Sequence, residues 1–219
     1  LGMKPNKVVG INRTFDKSLD LVNKFKNSKV ELKAVQEKDI PKKFLNADLV
    51  FAAPVINEID LEVISLFETN FVVANLQGWL RKVDKTGLVD KKVIDLEQIL
   101  SYVDIAIISH EDINDWTVLE IWKDKVDVLV VTIGSGGCKF NVDDKWYHVP
   151  AIKAVELDAV GAGDIFATAY MVKYFQTFDC FQSATFANYV AGVSIEGERT
   201  TRLTESLLHD MQNELGIDV

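Results

Sequence analysis

The sequence is poor in the residues that mark disulfide-rich, zinc-binding or membrane-spanning proteins. Its two cysteines, Cys138 and Cys180, lie in apolar surroundings and have no C-x-x-C spacing, so buried free thiols are predicted. The three histidines also lack metal-ligand spacing. No apolar run approaches the roughly 18 residues that a transmembrane helix needs. With only 4 prolines and no low-complexity stretch, the sequence offers no candidate linker, and 1–219 is predicted to form a single domain.

Positive charge is also in short supply. Lys and Arg number 24 against 33 Asp and Glu, which gives a formal net charge of -9. A nucleic-acid binder needs clustered basic residues that neutralise phosphates, so no nucleic-acid partner is expected. The chain starts without a charged-then-apolar signal pattern, and we expect a cytoplasmic protein with no membrane partner. It starts at Leu1 and not at Met, which is compatible with a processed start and with a missing upstream portion.

What the sequence does contain is an alternation of short apolar runs and amphipathic stretches. Parallel strands that are covered on both faces should be continuously apolar, and such runs occur at residues 49–52, 71–74, 105–108 and 126–133. Helices are predicted between these runs at 60–67, 95–102 and 117–122. This rhythm predicts an α/β fold with a mostly parallel central sheet and helices on both faces.

Further elements are predicted on either side of this core. A hairpin over 138–142 and 146–149 should turn at Asp143-Asp144. Earlier in the chain, the pattern indicates a strand at 8–11, a helix at 17–27 and an exposed strand at 30–35. After the hairpin, helices are predicted at 161–175, 181–194 and 204–215.

One segment, Asp158-Ala-Val-Gly-Ala-Gly-Asp164, leads from a loop into a long apolar helix. Its small residues leave the first-turn N–H groups open, and these groups together with the helix dipole favour an anion. Asp164 has two interpretations. It is either an ordinary helix-start acid or a general base that takes a hydroxyl proton while the N–H groups hold a transferring phosphoryl group. The spacing alone leaves both open.

A second segment, Gly134-Ser-Gly-Gly137, follows a buried strand. Ligands in open α/β sheets collect outside the carboxyl ends of strands, and glycine lets the backbone approach phosphates closely. A tight strand-to-strand turn explains the same residues equally well. The segment is not a P-loop, which needs a Lys-Ser/Thr pair, and it does not open a helix as a dinucleotide fingerprint does.

Together and in this order, the two segments resemble the ribokinase-like (pfkB) carbohydrate kinase family. Residues 131–137 resemble the family's nucleotide-binding segment, and 158–164 resemble its D-T-x-G-A-G-D signature. The stretches 47–54, 75–81 and 109–112 also resemble family segments, so the likeness runs from about residue 47 to the end of the chain. It implies a ribokinase-like three-layer α/β/α fold.

The resemblance also implies an activity, namely transfer of the γ-phosphate of ATP to a hydroxyl of a sugar or nucleoside. Asp164 would be the general base, and Gly161, Ala162 and Gly163 would form the anion hole. The residues implied to bind the nucleotide are Thr132, Gly134, Gly136, Gly137, Ser109 and Asn188. Those implied to organise cations are Asp112 and Glu111 for Mg²⁺, through water, and Asp158 with the Val160 carbonyl for a monovalent cation such as K⁺.

Several positions depart from the family pattern. Ala159 replaces the usual Thr, Asn75 replaces Asp, and Ser109 and Asp112 replace the Asn and Glu of an N-x-x-E stretch. An early substrate-binding Asp and a Gly-Gly motif are not recognisable, so residues 1–46 are expected to hold at most a remnant of a small β lid. Relatives often dimerise through lid strands, so a homodimer is expected if those strands are present.

These departures keep two other hypotheses open. One is a catalytically weak or inactive nucleotide-binding regulatory protein of the same fold. The other is a plain α/β domain whose glycine-rich turns are only turns. The acceptor is not identified, because specificity in this family lies largely in the N-terminal half and the lid.

Overall fold

The computed structural model of the chain describes residues 8–11, 36–83 and 88–197. The described residues divide into two compact units. We call them the N-terminal unit, with residues 8–11, 36–83, 88–131 and 141–145, and the C-terminal unit, with 132–140 and 146–197. The elements predicted at 17–27, 30–35 and 204–215 lie outside the described residues.

Most of the predicted elements are present, with small changes at their ends. The strands of the described residues are β1 (Val8–Ile11), β2 (Leu49–Ala52), β3 (Phe71–Asn75), β4 (Arg81–Val83), β5 (Val89–Lys91), β6 (Ile105–Ser109), β7 (Val128–Thr132), β8 (Cys138–Val142) and β9 (Lys145–Val149). The α-helices are α1 (Glu62–Ser65), α2 (Glu97–Leu100), α3 (Val118–Trp122), α4 (Ala162–Thr177) and α5 (Cys180–Ser194). Turns of 3₁₀ helix occupy Glu37–Asp39, Lys42–Phe44, Leu76–Leu80, His110–Asp112 and Gly134–Gly136.

The N-terminal unit is built on a row of hydrogen-bonded strands in the order β1-β2-β3-β6-β7. The pairs β1–β2, β2–β3 and β3–β6 are parallel, as predicted. Val72, Val73 and Ala74 of β3 have no exposed surface. Because consecutive residues of a strand point to opposite faces, this strand is covered on both sides. Its continuous apolar run is therefore the sequence pattern of a central parallel strand.

Asp104 aligns the starts of three neighbouring strands. Its carboxylate accepts a hydrogen bond from the Val72 N–H at 2.6 Å, and its own N–H donates to the Val72 carbonyl at 2.9 Å. Its carbonyl accepts from the Val128 N–H at 3.0 Å. Burial raises the pKa of the Asp104 carboxyl, and the Val72 N–H partly opposes that shift. In the resulting register, the carboxyl ends of β3 and β6 meet at one edge of the sheet.

A short antiparallel ribbon, β4–β5, was not predicted. Arg81 pairs with Lys91, and Val83 with Val89. All residues of β5 are exposed. The sequence of this ribbon mixes charged and apolar residues, so it carries none of the alternation by which half-buried strands are recognised.

The C-terminal unit is dominated by the long helices α4 and α5. An aromatic row runs along α4 at every fourth residue, through Phe166, Tyr170 and Tyr174 to Phe178, with neighbouring ring centroids 5.7–6.2 Å apart. At the start of α5, the Asp179 carboxylate accepts from the Gln182 N–H at 3.0 Å and caps the helix. This hydrogen bond lowers the pKa of Asp179.

The turn between β8 and β9 has the predicted position. Asp143 and Asp144 both have positive φ, at 51° and 59°. A two-residue hairpin turn of type I′ requires this backbone, and Asp adopts it more readily than most residues. In the ranges that the structure describes, no helix combines the length and the apolar character needed to span a bilayer.

Candidate functional site

The start of α4 is an uncapped helix N-terminus. Gly161 precedes the helix with φ 87°, a left-handed conformation that favours glycine, and it offers no side chain to the first-turn N–H groups. A Cβ placed on Gly163 would meet nothing within 4 Å. Among the described residues, the surface beside Gly163 is therefore open, while the Ala162 N–H donates to the Ala159 carbonyl at 3.1 Å. Backbone N–H groups in this position, together with the helix dipole, can bind an anion.

Asp164 stands on this first turn. Its side chain is half-buried, and its carbonyl accepts a hydrogen bond from the Thr168 hydroxyl at 2.8 Å. Asp164 is thus the carboxylate nearest in sequence to the open surface at Gly163. Its assignment as a general base stays a prediction.

The loop that leads into α4 is held to the far end of α5. The N–H groups of Leu157 and Asp158 both donate to the Ile195 carbonyl, at 2.9 and 3.2 Å. The Asp158 carboxylate accepts from the Val160 N–H at 2.9 Å, which forms a tight local turn. Asp158 therefore shapes the loop that leads to Gly161 and Gly163. A cation bound by Asp158 and the Val160 carbonyl stays a prediction.

The glycine-rich turn after β7 uses its glycines in different ways. Gly134 has φ 58°, and a Cβ placed on it would meet nothing within 4 Å. Gly137 has φ 92°, and its Cβ would lie 2.2 Å from the Val149 carbonyl oxygen. A Cβ on Gly136 would press on the Ile133 side chain at 3.1 Å. Gly134 thus borders open space, whereas Gly137 is required by a close approach of two backbone segments.

The last residues of β9 contact this turn, which the sequence did not reveal. The His148 ring Nε2 lies 2.8 Å from the Gly136 carbonyl oxygen. The buried Asn188 amide donates to the carbonyls of Val149 and Pro150, at 3.0 and 3.3 Å. Asn188 was predicted to lie near the nucleotide. Its amide nitrogen already has backbone partners, and its nucleotide contact stays a prediction.

The acidic segment after β6 contains an ion pair that the sequence also did not reveal. The Arg81 guanidinium donates from Nε and Nη2 to the two carboxylate oxygens of Asp112, at 2.7 and 2.8 Å. The two residues are 31 positions apart, so no local pattern links them. Ser109 accepts from the Glu111 N–H at 3.2 Å and caps the short turn that carries both acids.

This ion pair changes how the acidic segment fits Mg²⁺. Both oxygens of Asp112 are engaged by Arg81, whereas the Glu111 side chain is exposed. Within residues 8–11, 36–83 and 88–197, no group of three or more His, Cys, Asp or Glu side chains forms a metal cluster. Proteins commonly hold Mg²⁺ with one or two carboxylates, waters and the phosphates of the substrate. Glu111 fits such a site better than Asp112 does.

The segment at 75–80 holds the loop that follows β2. A Cβ on Gly78 would lie 2.3 Å from the Pro54 carbonyl carbon, so no larger residue fits without moving that loop. The Trp79 indole N–H donates to the Ile59 carbonyl at 2.7 Å. The buried Glu58 carboxylate accepts from the N–H groups of the two residues after Pro54. These contacts explain Gly78 and Trp79 by packing.

The predicted site residues are therefore distributed over both units. The C-terminal unit contains Thr132, Gly134, Gly136, Gly137, Asp158, Val160, Gly161, Ala162, Gly163, Asp164 and Asn188. The N-terminal unit contains Ser109, Glu111 and Asp112.

Several known proteins are similar to this chain. The model of the pfkB family carbohydrate kinase matches residues 57–206, which include every residue predicted to belong to the site. Fructokinase-1 from Zea mays is 34% identical over 61 residues, which cover 28% of this chain and 19% of that protein. The chain thus spans about a fifth of the length of the curated relatives that it matches first.

Solved structures show the same fold at low sequence identity. A ribokinase from Thermotoga maritima is 14% identical, with a TM-score of 0.68 over 94% of this chain and 80% of that chain. A fructokinase from Xylella fastidiosa, solved with bound ATP, is 13% identical, with a TM-score of 0.66 over 96% of this chain and 84% of that chain. The predicted ribokinase-like α/β fold is confirmed.

Proposed function

The chain belongs to the pfkB family of carbohydrate kinases, and on that premise we propose that it transfers the γ-phosphoryl group of ATP to a hydroxyl of a sugar or nucleoside. The observation that carries the proposal is the start of α4. There an uncapped helix N-terminus opens to solvent at Gly163, and Asp164 stands on the same turn. The proposal is also supported by a relative named as a fructokinase and by a fold neighbour with bound ATP.

This arrangement suits phosphoryl transfer, which needs positioning and charge stabilisation more than covalent chemistry. Asp164 would accept the proton of the acceptor hydroxyl, and the N–H groups of Gly161, Ala162 and Gly163 would hold the charge that develops on the phosphoryl oxygens, with that of Ala162 exchanging its bond to the Ala159 carbonyl for the phosphoryl group. Gly134, which borders open space, would let the nucleotide approach the backbone, with Thr132 beside it.

The proposed reaction also uses cations. Glu111 would hold Mg²⁺ through water, with Asp112 contributing only where its pair with Arg81 leaves a lone pair available. When bound, Mg²⁺ neutralises phosphate charge. Asp158, whose carboxylate accepts from the Val160 N–H, and the Val160 carbonyl would hold a monovalent cation such as K⁺. The cytoplasm stays the expected compartment, and a homodimer and the absence of nucleic-acid and membrane partners stay expectations.

The decisive test replaces Asp164 by Asn, which preserves volume and removes the proton acceptor. We expect kcat to fall by roughly 10²- to 10⁴-fold, the usual contribution of a general base. The affinity for a non-hydrolysable ATP analogue should stay within about threefold, because a base acts in the chemical step and not in nucleotide binding. Turnover is followed as ADP release over a panel of sugars and nucleosides, and affinity by calorimetry.

A matched control makes the same change at the start of the next helix. Asp179→Asn keeps a side chain that caps α5 and should leave turnover unchanged. Near wild-type turnover in Asp164→Asn would contradict the proposed base.

The second candidate function is a nucleotide-binding regulatory protein with weak or no catalysis. The ion pair between Arg81 and Asp112 favours it, since this pair engages a carboxylate at the position of the family's N-x-x-E acid. Nucleotide binding without ADP release over the whole panel would support this second candidate.

A further inference from the structure

The glycine-rich turn after β7 is held by an exposed histidine. His148 lies near the end of β9, and its ring Nε2 is 2.8 Å from the Gly136 carbonyl oxygen. A carbonyl oxygen can only accept a hydrogen bond, so Nε2 carries the proton and His148 is the donor. The bond joins a side chain of β9 to the middle of the turn.

Two other contacts hold the same strand end, one against the turn and one against α5. The backbone of Gly137 packs so closely on the Val149 carbonyl that only glycine fits. From the other side, the Asn188 amide of α5 donates to the Val149 and Pro150 carbonyls. The end of β9 is therefore anchored on α5, and His148 extends that anchor to the turn.

Such an anchor is valuable because glycine-rich segments sample many backbone conformations. Glycine loses more conformational freedom on folding than any other residue, and Gly134 and Gly137 are both held at positive φ. A ligand binds in proportion to the population of the competent conformation, so anything that raises this population tightens binding. The hydrogen bond from His148 acts on this population.

We propose that His148 is a positioning residue for the nucleotide, which fixes the Gly134–Gly136 turn in the conformation that receives the donor molecule. This inference rests on the proposed function, because it assumes that the turn binds a nucleotide. His148 acts through the turn and leaves the chemical step untouched. Its Nε2 is engaged by Gly136, so direct contact of that atom with the nucleotide is not part of the role.

The test compares two replacements of His148. His148→Phe keeps a flat ring and removes the donor, whereas His148→Gln keeps an N–H donor of similar reach. A single hydrogen bond shifts an equilibrium by about 2- to 10-fold. We therefore expect the Kd of a non-hydrolysable ATP analogue, measured by calorimetry, to rise ~2- to 10-fold in His148→Phe and to return toward wild type in His148→Gln. In steady-state turnover, KM for ATP should rise in His148→Phe by the same factor, and kcat should stay unchanged.

Lys145→Ala supplies the matched control, since Lys145 is an exposed residue at the start of the same strand. It should leave Kd unchanged. Amide hydrogen exchange at 133–137 should be faster in His148→Phe than in the control. Unchanged Kd in His148→Phe, or failure of His148→Gln to restore binding, overturns the inference alone. Absence of nucleotide binding by the wild-type chain overturns the proposed function and this inference together.

Discussion

Removing one partner of the Arg81–Asp112 ion pair should cost far more stability than removing the other. The Asp112 side chain is 4% exposed, while that of Arg81 is 28% exposed. Without the guanidinium, a carboxylate stays buried and unpaired. Without the carboxylate, the long Arg81 side chain can turn its charged end into water. The asymmetry of burial therefore predicts an asymmetry of free energies.

The magnitude follows from the cost of an uncompensated buried charge. Loss of one partner from a buried pair costs about 3–5 kcal/mol. Because Arg81 is partly hydrated in the folded state, we expect the lower end, about 3 kcal/mol, for Arg81→Met, which keeps much of the stem's packing. For Asp112→Ala we expect about 1 kcal/mol, since only the hydrogen bonds are lost and the arginine regains water.

Urea unfolding followed by tryptophan fluorescence measures both values, provided that the slope m is unchanged between variants. The double variant Arg81→Met/Asp112→Ala should be more stable than Arg81→Met alone, because the stranded carboxylate is gone. Equal losses in the two single variants, or a larger loss for Asp112→Ala, would refute the argument from burial.

Two further predictions concern packing and thiol chemistry. Gly78→Ala should lower the free energy of unfolding by about 3 kcal/mol, because its Cβ would lie 2.3 Å from the backbone of Pro54. Gly163→Ala, with open space around it, should raise the free energy of unfolding by about 0.5 kcal/mol. Thermal and urea unfolding check both; equal stabilities of the two variants would contradict the clash. Burial raises the pKa of the Cys138 thiol to about 12, although a hydrogen bond from a neighbouring amide lowers it in part. A disulfide reagent at neutral pH should therefore modify only Cys180 in the folded protein. In denaturant it should modify both thiols. Rapid modification of two thiols per chain without denaturant would contradict this assignment.

The parts of the fold that could be predicted are those in which local sequence and burial agree. Strands β2, β3, β6 and β7 were predicted to within two residues, because each is a continuous apolar run between polar segments. Helices α4 and α5 were also predicted closely, since both are long. The helix predicted at 60–67 is only Glu62–Ser65, with turns beside it, and short helices of this kind have ends that propensity does not define.

The site residues, too, were predictable where the signal is local in sequence and not where it depends on tertiary contacts. The start of α4 was predicted because a small-residue helix start is a local pattern, and the structure adds that Gly163 borders open space. The bond from His148 to Gly136 and the pair between Arg81 and Asp112 were missed, because each joins residues that only the tertiary fold brings together. A lone histidine in a strand and a lone arginine in a ribbon carry no local signal for such partners.

The ion pair also bears on the choice between the two candidate functions. Asp112 occupies the position of the acid in the family's N-x-x-E stretch, and its replacement of Glu is one of the departures that kept the regulatory hypothesis open. Its partner Arg81 ends the segment 75–81, so the contact joins two stretches that resemble family segments. Because Arg81 engages both oxygens of Asp112, this acid is poorly placed to organise Mg²⁺, which is why the pair favours the regulatory candidate; turnover would require another acid. The metal-organising role then passes to the exposed Glu111, and Asp164 remains the residue on which catalysis is decided.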